Sequence, residues 1–329
     1  MTPAPALRAS TARPQQVLTS LLGDFWYWRG ECVPSVALVE LLSEFGITPA
    51  GARTAMRRLA ASGLLTVERS GRTTAYGVPP RSVTVIIEHT YRMMTFGAST
   101  SEWDGMWTVV TFSVPEKARG IRTALRARLR VMHFAALYDA VWVSPHDKTD
   151  EVIGMLDELG VSTASVLRSR EVVHDSQQSH LHAAFDLSEL TAEYRSFVEH
   201  YEPLQDDVDA GRIGPADALR IRTKLGGEWR RFREIDPDLP AELLPAEWPR
   251  ERAHRVFRHI YDRLGPVAEL RFRQVLARTA PELAELSSHH DSASVTSLHE
   301  ALMDRARGDT PLERATEARL LQEARRRQL

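Results

Sequence analysis

The chain has 329 residues, 43% of them hydrophobic and 26% charged, with a formal net charge of −2. That is the composition of an ordinary water-soluble protein, long enough for two or three packed domains. The sequence shows no apolar run of about eighteen residues and no continuous apolar segment near its start, which argues against a membrane span or secretory signal and predicts a cytoplasmic protein.

Residues 1–12 lack periodicity and are expected to be a disordered tail. The next block, 13–81, reads as a winged helix-turn-helix: three amphipathic helical segments, then a short hairpin with its turn at Ser70-Gly71. Cys32, the single cysteine, excludes an internal disulfide and any multi-cysteine metal site, and reads as a small packing residue near the start of the second helix. The third helix opens at Thr48-Pro49, a capping hydroxyl followed by a proline at the first helical position, and closes at Gly63. Between those signals Ala52, Ala55, Met56 and Leu59 recur at helical spacing on one face, and Arg53, Thr54, Arg57 and Arg58 fall on the other. An apolar back and a guanidinium front on a short helix suit a DNA major groove.

In the hairpin, Leu65 and Val67 alternate with Thr66 and Glu68, and Thr74, Tyr76 and Val78 alternate on the return strand. Arg69 and Arg72 flank the turn, where cations reach a phosphate or a minor groove and position the reading helix. Thr48, Arg53, Thr54, Arg57, Arg58, Arg69, Arg72 and Thr73 are therefore the candidate DNA-binding residues. Residues 1–81 hold nine arginines against five acids, so positive charge is concentrated in this block although the whole chain is slightly acidic.

Pro79-Pro80 ends the first domain, and 82–102 reads as a linker, a helix or strand packed under the domain that follows. In 103–175, strand-like runs at 107–114, 137–143 and 162–170 alternate with helical patterns at 118–132 and 150–159. The order β-α-β-β-α-β, or a truncation of it, points to a ferredoxin-like α/β sandwich. From 176 to 285 the pattern is helical, with segments at 190–201, 216–232, 241–244 and 250–264, and an extension over 286–329 is expected to carry a last helix at 313–326. The expected fold class is thus α+β and multidomain, with a mostly helical C-terminal domain for effector binding or dimerisation.

Three blocks carry a family resemblance. The first comprises Leu21-Leu22-Gly23-Asp24, Gly46-Ile47-Thr48, the run Ala52 to Leu59, and Gly63-Leu64-Leu65; the second, Trp103-Asp104-Gly105, Phe112 to Glu116, and Trp142 to Pro145; the third, Glu228 to Phe232, Asp236 to Pro240, Leu243-Leu244-Pro245, and Trp248-Pro249. In this order they resemble the PaaX family of bacterial repressors. The resemblance implies a homodimeric transcriptional regulator, usually a repressor, bound to double-stranded operator DNA and released by a small effector such as an aryl-acyl-coenzyme A thioester. The chain departs from the family's glycine after Trp-Pro, carrying Arg250, and the stretch after about 286 lies outside the match. Trp229, Arg230 and Arg233 are the candidate effector residues: cations for phosphates and a flat ring for adenine or acyl groups.

The alternative is a metal-dependent nuclease or other nucleic-acid enzyme targeted by the winged domain. The middle domain resembles small ferredoxin-like nucleases of CRISPR systems, which need a carboxylate at the end of their first strand. Here that strand ends Thr111-Phe112-Ser113-Val114, and Asp104 before it reads as a turn residue. His174, His180, His182, His289 and His290 have no cysteine pair or His-Glu-x-x-His pattern beside them and read as structural. No phosphate loop or nucleophile elbow is present, so no cofactor, no metal and no catalytic residue is expected.

Overall fold

The computed structural model describes residues 13–98, 102–171 and 181–308, with side chains of the last helix described through Met303. The tail at 1–12, His174, His180 and the helix expected at 313–326 lie outside the described residues.

Apolar residues at spacings of three and four fold the start of the chain into α1 (Pro14–Phe25), α2 (Ser35–Ser43) and α3 (Pro49–Ala61). Leu18, Leu21, Leu22 and Phe25 of α1 are buried with Ala37, Leu38, Leu41 and Leu42 of α2 and Ala52, Ala55, Met56 and Leu59 of α3. Each fully buried large apolar side chain contributes roughly 1.5–3 kcal/mol. A three-stranded antiparallel sheet follows, in the order β1 (Val33–Pro34), β3 (Thr73–Gly77), β2 (Thr66–Ser70). Strand β1 is missing from the sequence reading because two residues show no alternation; Pro34, with no N–H to donate, is tolerated on this edge.

The hairpin turn lies one residue later than expected. Ser70 pairs with Thr73, so the two-residue loop is Gly71-Arg72. Gly71, at φ +56°, occupies the first loop position, where a II′ turn demands a positive φ that a serine would adopt only with strain.

Helix α4 (Val83–Thr95) comes next, and then β4 (Trp107–Phe112), α5 (Arg119–Val131), β5 (Ala135–Tyr138), β6 (Val141–Ser144), α6 (Thr149–Glu158) and β7 (Ala164–Ser169). The single run expected at 137–143 is two strands, because the chain turns at Asp139-Ala140 with an irregular register beside it. The sheet order is β5-β6-β4-β7, antiparallel throughout. One face packs Val110, Phe112 and Trp142 against Leu125 and Leu129 of α5 and Val152 and Met155 of α6. The other face places Trp107 and Val143 against Leu239 and Leu243.

The remainder is helical: α7 (Ser188–Tyr201), α8 (Gln205–Asp209), α9 (Pro215–Ile235), α10 (Arg250–Leu276), α11 (Pro281–Ala284) and α12 (Ser292–Gly308). Helix α10 runs twelve residues past the expected end at 264, straight through Pro266. An interior proline costs about 3 kcal/mol. Pro266 is exposed, and the buried stripe Leu264, Ala268, Phe272, Val275 and Leu276 continues beneath it and outweighs that cost.

Two compact units result, Met1–Met94 with Gly211–Lys224 and Tyr261–Leu329, and Thr95–Ala210 with Leu225–Ile260. The sequence pattern places the α4 segment under the following domain, but most of it belongs to the first unit. His299 of α12 stacks on Tyr91 at 3.6 Å and pairs with Glu88 at 2.7 Å, which ties α4 down there.

Candidate nucleic-acid interface

The N-terminus of α3 is capped as its sequence dictates: the amide of Gly51 donates to Thr48 Oγ1 at 3.2 Å, and Pro49 takes the first helical position. Such a cap contributes about 1 kcal/mol. At the other end Gly63 adopts φ +72°, its amide donates to Ala60 O at 3.0 Å, and the amide of Leu64 donates to Leu59 O at 2.9 Å. These are the two bonds of a Schellman stop. Helix α3 is thereby fixed in length and rotation, with four apolar residues inward.

Arg53, Arg57 and Arg58 are exposed on the opposite side, and Thr54 is half-buried and accepts from Arg57 Nη2 at 3.4 Å. Arg69 is the next-to-last residue of β2, opposite Thr74, Arg72 occupies the loop, and both are exposed. Thr73 is exposed and donates to Ser70 O at 2.7 Å, bracing the turn. Among the described residues, no carboxylate pairs with Arg53, Arg57, Arg58, Arg69 or Arg72. Several other arginines are matched: Arg231 grips Glu193 at 2.6 Å, Arg252 grips Glu202 at 2.7 Å, and Arg271 grips Glu44 at 2.5 Å. The arginines of α3 and the hairpin are exposed without a carboxylate partner among the described residues, which leaves them available to an external anion.

The candidate effector residues fall differently. Trp229 is enclosed, 0% exposed, stacked on Phe257 at 4.9 Å and flanked by Phe96 and Phe197 at 5.7 and 5.8 Å. In this conformation it is a core ring without an open face. Arg230 and Arg233 are half-buried on the same helix. Arg222, two turns earlier on α9, is wholly buried.

Nearby, the loop that carries the Asp-Pro-Asp signature is anchored by charge: Arg250 Nη1 lies 2.7 Å from Asp238 and 3.3 Å from Asp236, and Tyr194 donates to Asp236 at 2.7 Å. Burial pushes the Asp236 carboxyl above the usual carboxylate range. Asp104 is engaged in its turn, accepting from the Met106 amide at 2.8 Å and pairing with Arg168 at 2.5 Å. Among the described histidines, His289 pairs with Glu269 at 2.5 Å and His290 is buried, and among the described residues no cluster of His, Cys, Asp and Glu is arranged to hold a metal.

Residues 13–79 match the PaaX-like protein family, 100–181 the PaaX protein central Cas2-like domain and 185–274 the PaaX-like protein C-terminal domain. The chain belongs to the PaaX family. Its relative, the transcriptional repressor PaaX of Escherichia coli K12, is 28% identical over 269 residues, covering 80% of this chain and 84% of that one. A solved structure, the uncharacterized protein Rv0674 of Mycobacterium tuberculosis, aligns with a TM-score of 0.46 at 22% identity over 81% of this chain and 99% of its own. Within the PaaX family, α3 and the hairpin fall in the first matched block, the β4–β7 sheet in the Cas2-like block and Trp229 in the last.

Proposed function

We propose that the chain is a transcriptional repressor that reads double-stranded operator DNA with its N-terminal block. Family membership supports the regulator reading; the single observation that carries the interface is the capped helix α3, apolar inward and bearing unneutralised Arg53, Arg57 and Arg58 outward. In this reading 13–81 is a winged helix-turn-helix, with α3 as recognition helix in the major groove and the Arg69–Arg72 hairpin as wing on the backbone or minor groove. Thr48, Thr54 and Thr73 supply hydroxyls at the edges of the interface. The linker at 82–102 leads to a ferredoxin-like domain at 103–175, whose four-stranded order and two helices on one face support that reading. A helical effector and dimerisation domain at 176–285 and an extension at 286–329 follow.

The active species is a cytoplasmic homodimer on a pseudo-palindromic site, because one short helix reads only a few base pairs and a second half-site about one turn away doubles what is read. No helix among the described residues is long and apolar enough to cross a membrane. The effector is an acyl-coenzyme A thioester, with Arg230 and Arg233 of α9 meeting its phosphates while the buried Trp229 holds that helix to the core. Selection of bound sequences from a random duplex library, followed by gel-shift titration of the parent and of Arg53→Ala and Arg57→Ala, tests the reading. Enrichment of a pseudo-palindrome that both variants bind less tightly supports it; enrichment of nothing overturns it.

A further inference from the structure

The C-terminal turn of α1 ends in a polar cluster buried inside the first unit. Asp24 is 7% exposed, and Oδ1 of its carboxylate accepts from the hydroxyl of Tyr261 on α10 at 2.9 Å. That hydroxyl lies 3.2 Å from Nε2 of His290, which is 2% exposed. Since the single hydroxyl proton goes to Asp24, His290 donates through Nε2–H, forming a relay from His290 to Tyr261 to Asp24. Burial pushes the His290 pKa down to about 4, so the ring is neutral near pH 7 and brings no second cation.

Arg222 of α9 is 0% exposed. Its Nε donates to Tyr261 O at 3.1 Å, Nη2 donates to His290 O at 2.6 Å, and the guanidinium lies 3.9 Å over the Tyr261 ring. Nη1 points toward Asp24 Oδ2 but stops at 3.8 Å, beyond hydrogen-bond reach, and has no hydrogen-bond partner among the described residues. A buried cation and a buried carboxylate thus face each other without closing, although a movement of about 1 Å would join them. Buried ion pairs cost more than apolar packing unless complete, and an incomplete one is expected where it chooses between two arrangements. Tyr261 O–H and Arg222 Nη1 compete for the same carboxylate.

We propose that Asp24, Tyr261, His290 and Arg222 form a two-position latch on the DNA-reading module, with Tyr261 and Arg222 acting as positioning residues for operator binding. When Tyr261 holds Asp24, the end of α1 is fixed and α3, packed on α1, presents its arginines outward. When Asp24 closes on Arg222, α1 shifts and carries α3 with it. Glu44 to Arg271 and Glu40 to Arg278 are closed ion pairs on α2 in the same unit, whereas the Arg222–Asp24 pair at the end of α1 is open. This rests on the assignment of α3 as the reading element.

The test uses the full chain and an operator obtained by selection from random duplexes. Tyr261→Phe keeps the ring and removes the hydroxyl; it should bind operator roughly tenfold more weakly once the active fraction is normalised by stoichiometric titration. Asp24→Ala should weaken binding comparably, and the double variant no more than either alone, since both remove one hydrogen bond. A purely structural role would lower the melting temperature and leave the affinity of the folded fraction unchanged. Hydrogen exchange provides a readout without DNA: amides at 25–29 should exchange faster in Tyr261→Phe while those of α3 keep their protection. If Tyr261→Phe does not fold, Asp24→Ala carries the same comparison. Parental operator affinity with parental exchange in the variants overturns the latch and leaves the DNA assignment intact. Failure of the parent to enrich any sequence overturns both.

Discussion

The guanidinium of Arg81 donates to the carbonyl oxygen of Gly63 at 2.9 Å, fastening the end of α3 to the segment that follows the hairpin. Gly63 has φ +72°, and a Cβ there would lie 2.8 Å from Arg81 Nη2. Gly63→Ala therefore pays a left-handed backbone penalty of roughly 1–2 kcal/mol and displaces the arginine. Urea unfolding should show that loss, with operator binding through Arg53 unaffected in the folded fraction.

Arg53 and Arg57 extend from the exposed side of α3 with no acidic partner among the described residues. Replacing either by alanine should cost roughly 1–3 kcal/mol of operator affinity if it grips a guanine, with relaxed preference at that base pair. Unchanged affinity in gel-shift titrations, with circular dichroism showing a folded protein, would remove α3 from the reading role.

Arg69 and Arg72 stand at the tip of the hairpin, one on the strand and one in the loop. Their alanine variants should bind every duplex less well, and the slope of log affinity against log salt should become shallower by about one unit for each phosphate that is no longer neutralised. A slope equal to the parent's contradicts a backbone role.

His290 sets a pH limb. Its pKa is about 4 in the fold against 6.5 when free, so between those values the unfolded chain binds the proton and the native one does not. The stability it contributes is complete above about pH 6.5 and is lost as pH falls toward 4, on the order of 3 kcal/mol in all. Urea titrations of the parent and of His290→Gln across pH 4–7 should differ in this slope; parallel curves would refute it.

Trp229 and the cations beside it should separate experimentally. Trp229→Ala removes a fully buried ring and should cost roughly 3–5 kcal/mol of stability. Arg230→Ala and Arg233→Ala should fold and bind operator normally but release it poorly when an aryl-acyl-coenzyme A is added. Calorimetry across a panel of such thioesters showing no binding to the parent would end the effector proposal at these residues.

The amino-acid sequence by itself determined the local parts of this protein. Thr48-Pro49 and Gly63 bound α3 because caps act through their own backbone neighbours, and the spacing of Ala52, Ala55, Met56 and Leu59 names the inward face because helical periodicity is a property of one segment. The same local logic misplaced the hairpin turn by one residue, since only strand pairing tells which residue must take the positive φ at Gly71. Tertiary structure decided what local pattern does not contain. Arg222 and Arg230 look alike on α9 in sequence, yet one is sealed beside Asp24, Tyr261 and His290 and the other is half-exposed, because burial depends on partners from distant segments, Asp24 and Tyr261 themselves lying 237 positions apart. Trp229 likewise reads as a flat surface for a ligand until Phe257 and Phe96 close over it. The extension of α10 through Pro266 has the same cause: packing over a long buried stripe outweighed a local rule that ends a helix at proline.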